Sequence, residues 1–137
     1  MIKLPDRIAK TIGEFTGRTW LLPPILEWLE QSSDRLFLIT GGPGTGKSMV
    51  SGWLSGYGPT PPVPTAANQL ACIRRVVKAS HFCIANSGDT APRAMSQNIA
   101  QQLRLNLPRF DEALNAILAE ERQGGGCSAP RATEGDI

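Results

Sequence analysis

Residues 41–48 of the chain read Gly41-Gly42-Pro43-Gly44-Thr45-Gly46-Lys47-Ser48. This stretch fits the pattern G-x-x-x-x-G-K-[ST], which is typical of a phosphate-binding P-loop. An apolar run of strand length, residues 35–40, precedes it directly, and apolar residues at helical spacing follow from Met49. Strand, glycine-rich loop and helix in this order are the context that such a loop needs. The stretch therefore predicts both a fold and a ligand.

The residue types of the loop suit a polyphosphate. Glycines allow positive φ and bring backbone N–H groups close to phosphate oxygens, and the next helix directs its positive end toward the same anion. Lys47 is placed to reach the β- and γ-phosphates, and the Ser48 hydroxyl is placed to bind Mg²⁺. A plain glycine–proline turn between a strand and a helix is the alternative. The predicted ligand-binding residues are Gly41, Gly42, Pro43, Gly44, Thr45, Gly46, Lys47, Ser48 and Met49, with Ser48 as the metal ligand.

Two apolar runs predict β-strands. Residues 35–40 are apolar at consecutive positions, which is typical of a strand covered on both faces of a parallel sheet. Residues 79–85 predict a second core strand. We therefore predict an α/β fold: an incomplete P-loop NTPase fold of three layers, with a short, mostly parallel sheet and flanking helices.

Helical spacing of apolar residues predicts the other elements. A short helix is possible within residues 1–14, where Ile8 and Ile12 share a face, and longer helices are expected at about 21–31, after the loop to 56, and at 66–77, 90–107 and 110–122. Thr90 is expected to cap its helix, with Pro92 in the first turn. The proline-rich residues 58–65 predict an exposed connector or, alternatively, a docking segment for an SH3 or WW domain. The expected organisation is an N-terminal segment (1–14), a partial P-loop NTPase domain (15–122) and a disordered tail (123–137).

Length and charge exclude several classes of protein. The chain has 137 residues, enough for one domain, and its net charge of +2 is too small to indicate nucleic acid or membrane binding. No apolar run approaches the roughly 20 residues of a membrane span, and the N-terminus does not resemble a signal peptide. We therefore expect a cytoplasmic protein. The three cysteines lack metal-ligand spacing and predict reduced thiols, with Cys72 and Cys83 buried and Cys127 in the tail.

Four polar residues outside the loop are further candidates. Arg74 and Arg75 are candidates for contact with phosphate or an acidic partner, although a solvated helix face is the expected role. His81 is a candidate base or metal ligand, but the sequence places no cysteine or carboxylate at ligand spacing, so a partly buried histidine of the second strand is expected. Asp89 stands in Ser87-Gly88-Asp89-Thr90, which is ordinary turn and cap chemistry.

Several segments together resemble one family. Phe15-Thr16-Gly17-Arg18 resembles the F-x-G-R element that precedes the P-loop in NACHT and other STAND-class NTPases, relatives of the AAA+ ATPases. The P-loop, residues 79–83 and residues 98–103 follow in the order of that family, so the resemblance covers about residues 15–120. It implies that the backbone of Phe15, Thr16, Gly17 and Arg18 lies against adenine. It also implies ATP as the nucleotide, in agreement with the absence of an N-K-x-D guanine motif.

The sequence departs from that family after the second predicted strand. A complete NTPase core carries an acidic Walker B strand, but residues 116–121, the only candidate, read as part of an amphipathic helix. We therefore expect a truncated nucleotide-binding portion of a signalling ATPase, which binds ATP weakly with Mg²⁺, has no catalytic residue and contacts proteins through domains of a longer parent. A small P-loop nucleotide or nucleoside kinase and a non-enzymatic protein-interaction fragment are the alternatives.

Overall fold

The computed structural model describes residues 4–84 and 90–123, and these residues form helices joined by extended segments and turns. The predicted turn at 86–89, including Asp89, and all of the predicted disordered tail (123–137) except Gln123, and so also Cys127, lie outside the described residues. The α-helices are α1 (Asp6–Thr11), α2 (Leu22–Gln31), α3 (Lys47–Leu54), α4 (Pro64–Val76), α5 (Pro92–Asn106) and α6 (Phe110–Gln123). Single 3₁₀ turns at Ile12–Glu14 and Thr19–Leu21 complete the N-terminal part.

Prolines in the first turn set the starts of three helices. They stand at the beginning of α2, α4 and α5. Proline is favoured there because the N–H that it lacks would have no partner inside the helix. The predicted helices at 21–31 and 110–122 are confirmed within one residue at each end. The predicted cap at Thr90 is wrong, because α5 begins one residue later, with Ala91 in the cap position and no side-chain cap.

The main core lies where α2, α3 and α4 meet. Apolar side chains from the three helices bury one another, and Leu22, Leu70 and Ile73 are almost fully excluded from solvent. The ring of Trp53 on α3 is also buried, and its indole N–H donates to the carbonyl of Pro59, 2.9 Å away. This cluster fixes α3, the helix that follows the glycine-rich loop.

A smaller cluster packs on the other side of α3. Leu4, Ile8 and Ile12 are buried together, which confirms the prediction that Ile8 and Ile12 share one helix face. They lie against Gly52, where an added Cβ would stand 2.7 Å from the Cδ1 atom of Ile12. Because Gly52 has no side chain, α1 approaches α3 closely at this point, and α3 is held from two sides.

The predicted α/β fold with a parallel sheet is wrong for the described residues, which contain no β-strand. In residues 35–40, Phe37 and Ile39 pack against the core, whereas Leu36 and Leu38 are 77% and 74% exposed. The segment therefore buries alternate side chains on one face only, and no strand among residues 4–84 and 90–123 pairs with it. An apolar run becomes a sheet strand only when a second segment supplies the ladder of backbone hydrogen bonds.

The prediction of a second strand at residues 79–85 is also wrong. Here a helix, α5, lies where a neighbouring strand would pair with the segment. The side-chain amide of Gln102 on α5 accepts from the Ser80 N–H at 3.0 Å and donates to the Ser80 carbonyl at 2.8 Å. One turn further along α5, the Asn106 amide donates to the carbonyl of Lys78 at 2.8 Å. These side-chain amides satisfy backbone groups of residues 78–80 that a sheet would otherwise pair.

Three predictions about individual side chains are wrong as well. Cys72 and Cys83 are exposed rather than buried. Cys72 is adjacent in sequence to the buried Ile73, but neighbouring residues of a helix point in different directions. Cys83 is exposed because residues 79–84 form no strand that a sheet could cover. Arg74 does not lie on a solvated face: its guanidinium donates to the carbonyls of Trp53 and Tyr57, and burial lowers the pKa of Arg74. Arg75 is exposed, as expected.

Candidate phosphate-binding site

The glycine-rich loop forms a tight turn in front of α3. Gly44 and Gly46 both have positive φ, 76° and 86°, which an L-residue rarely adopts. Between them, Thr45 turns back on Gly42: its N–H and its hydroxyl both donate to the Gly42 carbonyl, at 3.4 and 2.8 Å. At Gly41, an added Cβ would stand 2.7 Å from the Thr45 hydroxyl oxygen. The prediction of positive φ is therefore confirmed at Gly44 and Gly46 and wrong at Gly41, where glycine is needed because a Cβ would meet the Thr45 side chain.

The side chain of Lys47 folds back over this turn. Its ammonium donates to the carbonyls of Gly41 and Gly42, at 2.6 and 2.7 Å, and lies 3.5 Å from the hydroxyl oxygen of Thr45. Lys47 is also the first residue of α3 and is exposed. A positive charge therefore lies over the loop, on a side chain that is long enough to exchange neutral carbonyls for an anion.

The start of α3 adds donors beside that charge. The first helical hydrogen bond runs from the Val50 N–H to the Gly46 carbonyl at 2.9 Å. The N–H groups that precede Val50 have no carbonyl one turn earlier in the helix, and the helix dipole makes this end positive. Ser48 is exposed in this first turn, so its hydroxyl is accessible to a ligand. Met49 instead packs its side chain against the Leu4–Ile8–Ile12 cluster.

Residues 15–18 lie directly beside the loop. The Phe15 ring packs on Trp53 with centroids 5.5 Å apart, and its edge is 4.0 Å from the position that a Cβ on Gly46 would take. The Arg18 guanidinium donates to the Thr45 carbonyl at 3.3 Å. Gly17 turns the chain with φ of 77°, and Thr16 is exposed. The predicted adenine-contacting segment and the predicted phosphate loop therefore adjoin, although Phe15 uses its ring for packing.

Another candidate residue, His81, lies beside α5. His81 is partly buried and its Nδ1 atom lies 3.4 Å from the amide of Asn98, on α5. Within residues 4–84 and 90–123, no cluster of three histidine, cysteine or carboxylate side chains is arranged to hold a metal ion. Ser48 therefore fits Mg²⁺ only as one ligand of a metal that phosphate oxygens also bind. In the same part of the chain, no helix combines the length and apolar character needed to cross a bilayer.

An open cleft of about 450 Å³ lies elsewhere, between α2 and residues 34–38. Its lining includes Pro24, Trp28, Leu36 and Leu38, and the Trp28 indole N–H donates to the Asp34 carbonyl at its edge, 2.9 Å away. No residue of the loop or of residues 15–18 lines this cleft. It is therefore separate from the candidate phosphate site.

The side-chain contact of Arg18 with the loop was not predicted from the sequence. The resemblance placed the backbone of residues 15–18 against a base and gave the Arg18 side chain no role toward the loop. Arg18 and Thr45 are 27 residues apart, and no local pattern connects them. Such a contact depends on the tertiary packing of residues 15–18 and the glycine-rich loop beside Trp53.

Comparison with known families gives one match. A family model described as Nephrocystin 3, N-terminal, matches residues 17–133, most of the chain. The chain belongs to this family. The part matched to the nephrocystin 3 N-terminal family includes Arg18, the glycine-rich loop and helices α2 to α6, whereas Phe15 and Thr16 precede it. No curated protein and no solved structure matches the chain. The family description names no ligand and mentions neither NACHT nor STAND NTPases, so that resemblance stays a prediction.

Proposed function

We propose that the chain binds ATP together with Mg²⁺ at the glycine-rich loop. The observation that carries the proposal is the arrangement of Lys47, whose ammonium lies over the loop carbonyls at the first turn of α3. A flexible cation, a glycine turn and a helix N-terminus at one place supply charge and N–H donors for phosphate oxygens. The resemblance of residues 15–18 to the STAND element favours adenine as the base.

Each group has a distinct part in the proposed binding. Lys47 exchanges its contacts with the Gly41 and Gly42 carbonyls for the β- and γ-phosphates, and the N–H groups of the loop and of the first turn of α3 donate to the remaining phosphate oxygens. Bound Mg²⁺ would neutralise part of the negative charge of the nucleotide. Ser48, exposed in the first turn of α3, is the protein ligand that we propose for the metal.

We propose binding without efficient hydrolysis. Phosphoryl transfer to water needs a residue that orients the attacking water and a firmly held metal. The carboxylate ion pairs of the described residues join Arg104 to Asp111 and Arg109 to Glu112, both at the α5–α6 hairpin. Residues 116–121, the Walker B candidate of the sequence, lie within α6 rather than at the end of a buried strand, so this segment does not supply the acidic group of a complete NTPase core.

Titration with a fluorescent ATP analogue tests this proposal. We expect saturable binding by the full chain, displaced by unlabelled ATP, and a loss of affinity of about tenfold or more in Lys47→Ala, because a hydrogen bond to a charged group contributes roughly 1.5–3 kcal/mol. Lys10→Ala is the matched control, since Lys10 is an exposed lysine of α1. Absence of binding, or equal affinities for the Lys47 variant and the unaltered chain, would contradict the proposal.

A further inference from the structure

The peptide unit between Thr45 and Gly46 decides which way one N–H of the loop points. The described chain has no cis peptide bond, so the Thr45 carbonyl and the Gly46 N–H point in opposite directions from one plane. Gly44 and Gly46, with φ of 76° and 86°, stand on either side of Thr45. Glycine accepts both signs of φ, so these two residues alone do not fix the orientation of the peptide.

Contacts from outside the loop fix that orientation. The Arg18 guanidinium donates to the Thr45 carbonyl at 3.3 Å, so the Gly46 N–H must point away from Arg18. The Phe15 ring edge lies beside Gly46, and the Thr45 hydroxyl is held by the Gly42 carbonyl at 2.8 Å. Residues 15–18, which are distant in sequence from the loop, thus act together with the Thr45–Gly42 bond to hold one peptide between two glycines.

We propose that Arg18 is a positioning residue for phosphate binding. It holds the Thr45 carbonyl and thereby presents the Gly46 N–H to a phosphate oxygen, next to Lys47 at the start of α3. This inference rests on the proposed function, because it gives Arg18 a role in orienting the loop toward the same ligand. It differs from a contact with the base: a residue that orients the loop acts on the phosphates whether or not adenine is attached to them.

Binding of ATP and of inorganic triphosphate, each with Mg²⁺, separates the two roles. We expect Arg18→Ala to weaken both ligands by the same factor, about fivefold to tenfold, as for the loss of one hydrogen bond that orders the loop. Arg18→Lys should restore both affinities to within about threefold, because an ammonium can also donate to a carbonyl. Arg93→Ala, an exposed arginine on α5, is the control and should leave both affinities unchanged.

The other outcomes overturn the inference in distinguishable ways. If Arg18→Ala weakens ATP but not triphosphate, Arg18 contacts the base and does not orient the loop. If Arg18→Ala changes neither affinity, or Arg18→Lys fails to restore them in a chain with an unchanged urea midpoint, the positioning role is wrong while ATP binding stands. If the unaltered chain binds neither ligand, the proposed function fails, and the role of Arg18 fails with it.

Discussion

Replacing Arg74 with alanine should destabilise the fold at the junction of α3 and α4. The Arg74 Nε and Nη2 atoms donate to the Trp53 carbonyl at 3.0 and 2.8 Å, and Nη2 also donates to the Tyr57 carbonyl at 2.7 Å. The Trp53 carbonyl lies at the C-terminal end of α3, where carbonyls lack helical partners and the dipole favours a cation.

The size of the effect follows from these bonds. A hydrogen bond from a charged group contributes about 1.5–3 kcal/mol, but this site is only partly buried, and the Trp53 carbonyl keeps a second donor, the N–H of Gly56 at 3.3 Å. We therefore expect Arg74→Ala to lower the free energy of unfolding by about 2 kcal/mol rather than by the sum of three full bonds.

Urea unfolding followed by tryptophan fluorescence measures this loss, because Trp53 belongs to the affected junction. Arg75→Ala is the matched control: it removes the same charge from the next position, which is exposed, and should change stability by less than about 0.5 kcal/mol. Equal unfolding midpoints for the two variants would refute the role assigned to Arg74.

Two further substitutions test other contacts by the same method. Gly58→Ala should lower the free energy of unfolding by about 2 kcal/mol or more, because φ is 77° and the new Cβ would stand 2.9 Å from the Ile12 carbonyl oxygen. Gly13→Ala is the control, since its new Cβ would meet no atom within 4 Å. Similar urea midpoints for the two variants would contradict this prediction. Gln102→Ala should lower the free energy of unfolding by about 2 kcal/mol and speed hydrogen exchange in α5, because it removes the side-chain amide that pairs with the Ser80 backbone. Gln101→Ala, at an exposed position of the same helix, should change neither quantity.

The helices were largely predictable because their signals are local. Apolar spacing gave the shared face of Ile8 and Ile12, and proline in the first turn fixed the start of α2. The glycines of the loop were predictable for the same reason: positive φ at Gly44 and Gly46 is a property of the backbone at those positions. These features need no information about distant residues.

The sheet was predicted wrongly because a strand depends on a partner. The run at 35–40 has strand-forming residues, yet Leu36 and Leu38 face solvent and no second strand pairs with them in the described residues. At Ser80, the partner is the side chain of Gln102, 22 residues away on a helix. Neither outcome is encoded in the local sequence pattern of residues 35–40 or 79–85.

Long-range polar contacts were missed for a related reason. Arg74 reaches back 21 residues to the end of α3, and Arg18 reaches forward 27 residues to Thr45. A charged residue on a helix is exposed in most cases, so sequence spacing favours the solvated interpretation. The role of such a residue is decided by which carbonyls the tertiary packing brings within reach.

Equilibrium dialysis of labelled ATP against the full chain, with Mg²⁺ present, tests the central claim most directly. We predict saturable binding of one nucleotide per chain, weakened about tenfold or more in Lys47→Ala and unchanged in Lys10→Ala. No saturable binding by the unaltered chain, or the same affinity after loss of the Lys47 ammonium, would contradict the assignment of the glycine-rich loop as a nucleotide site.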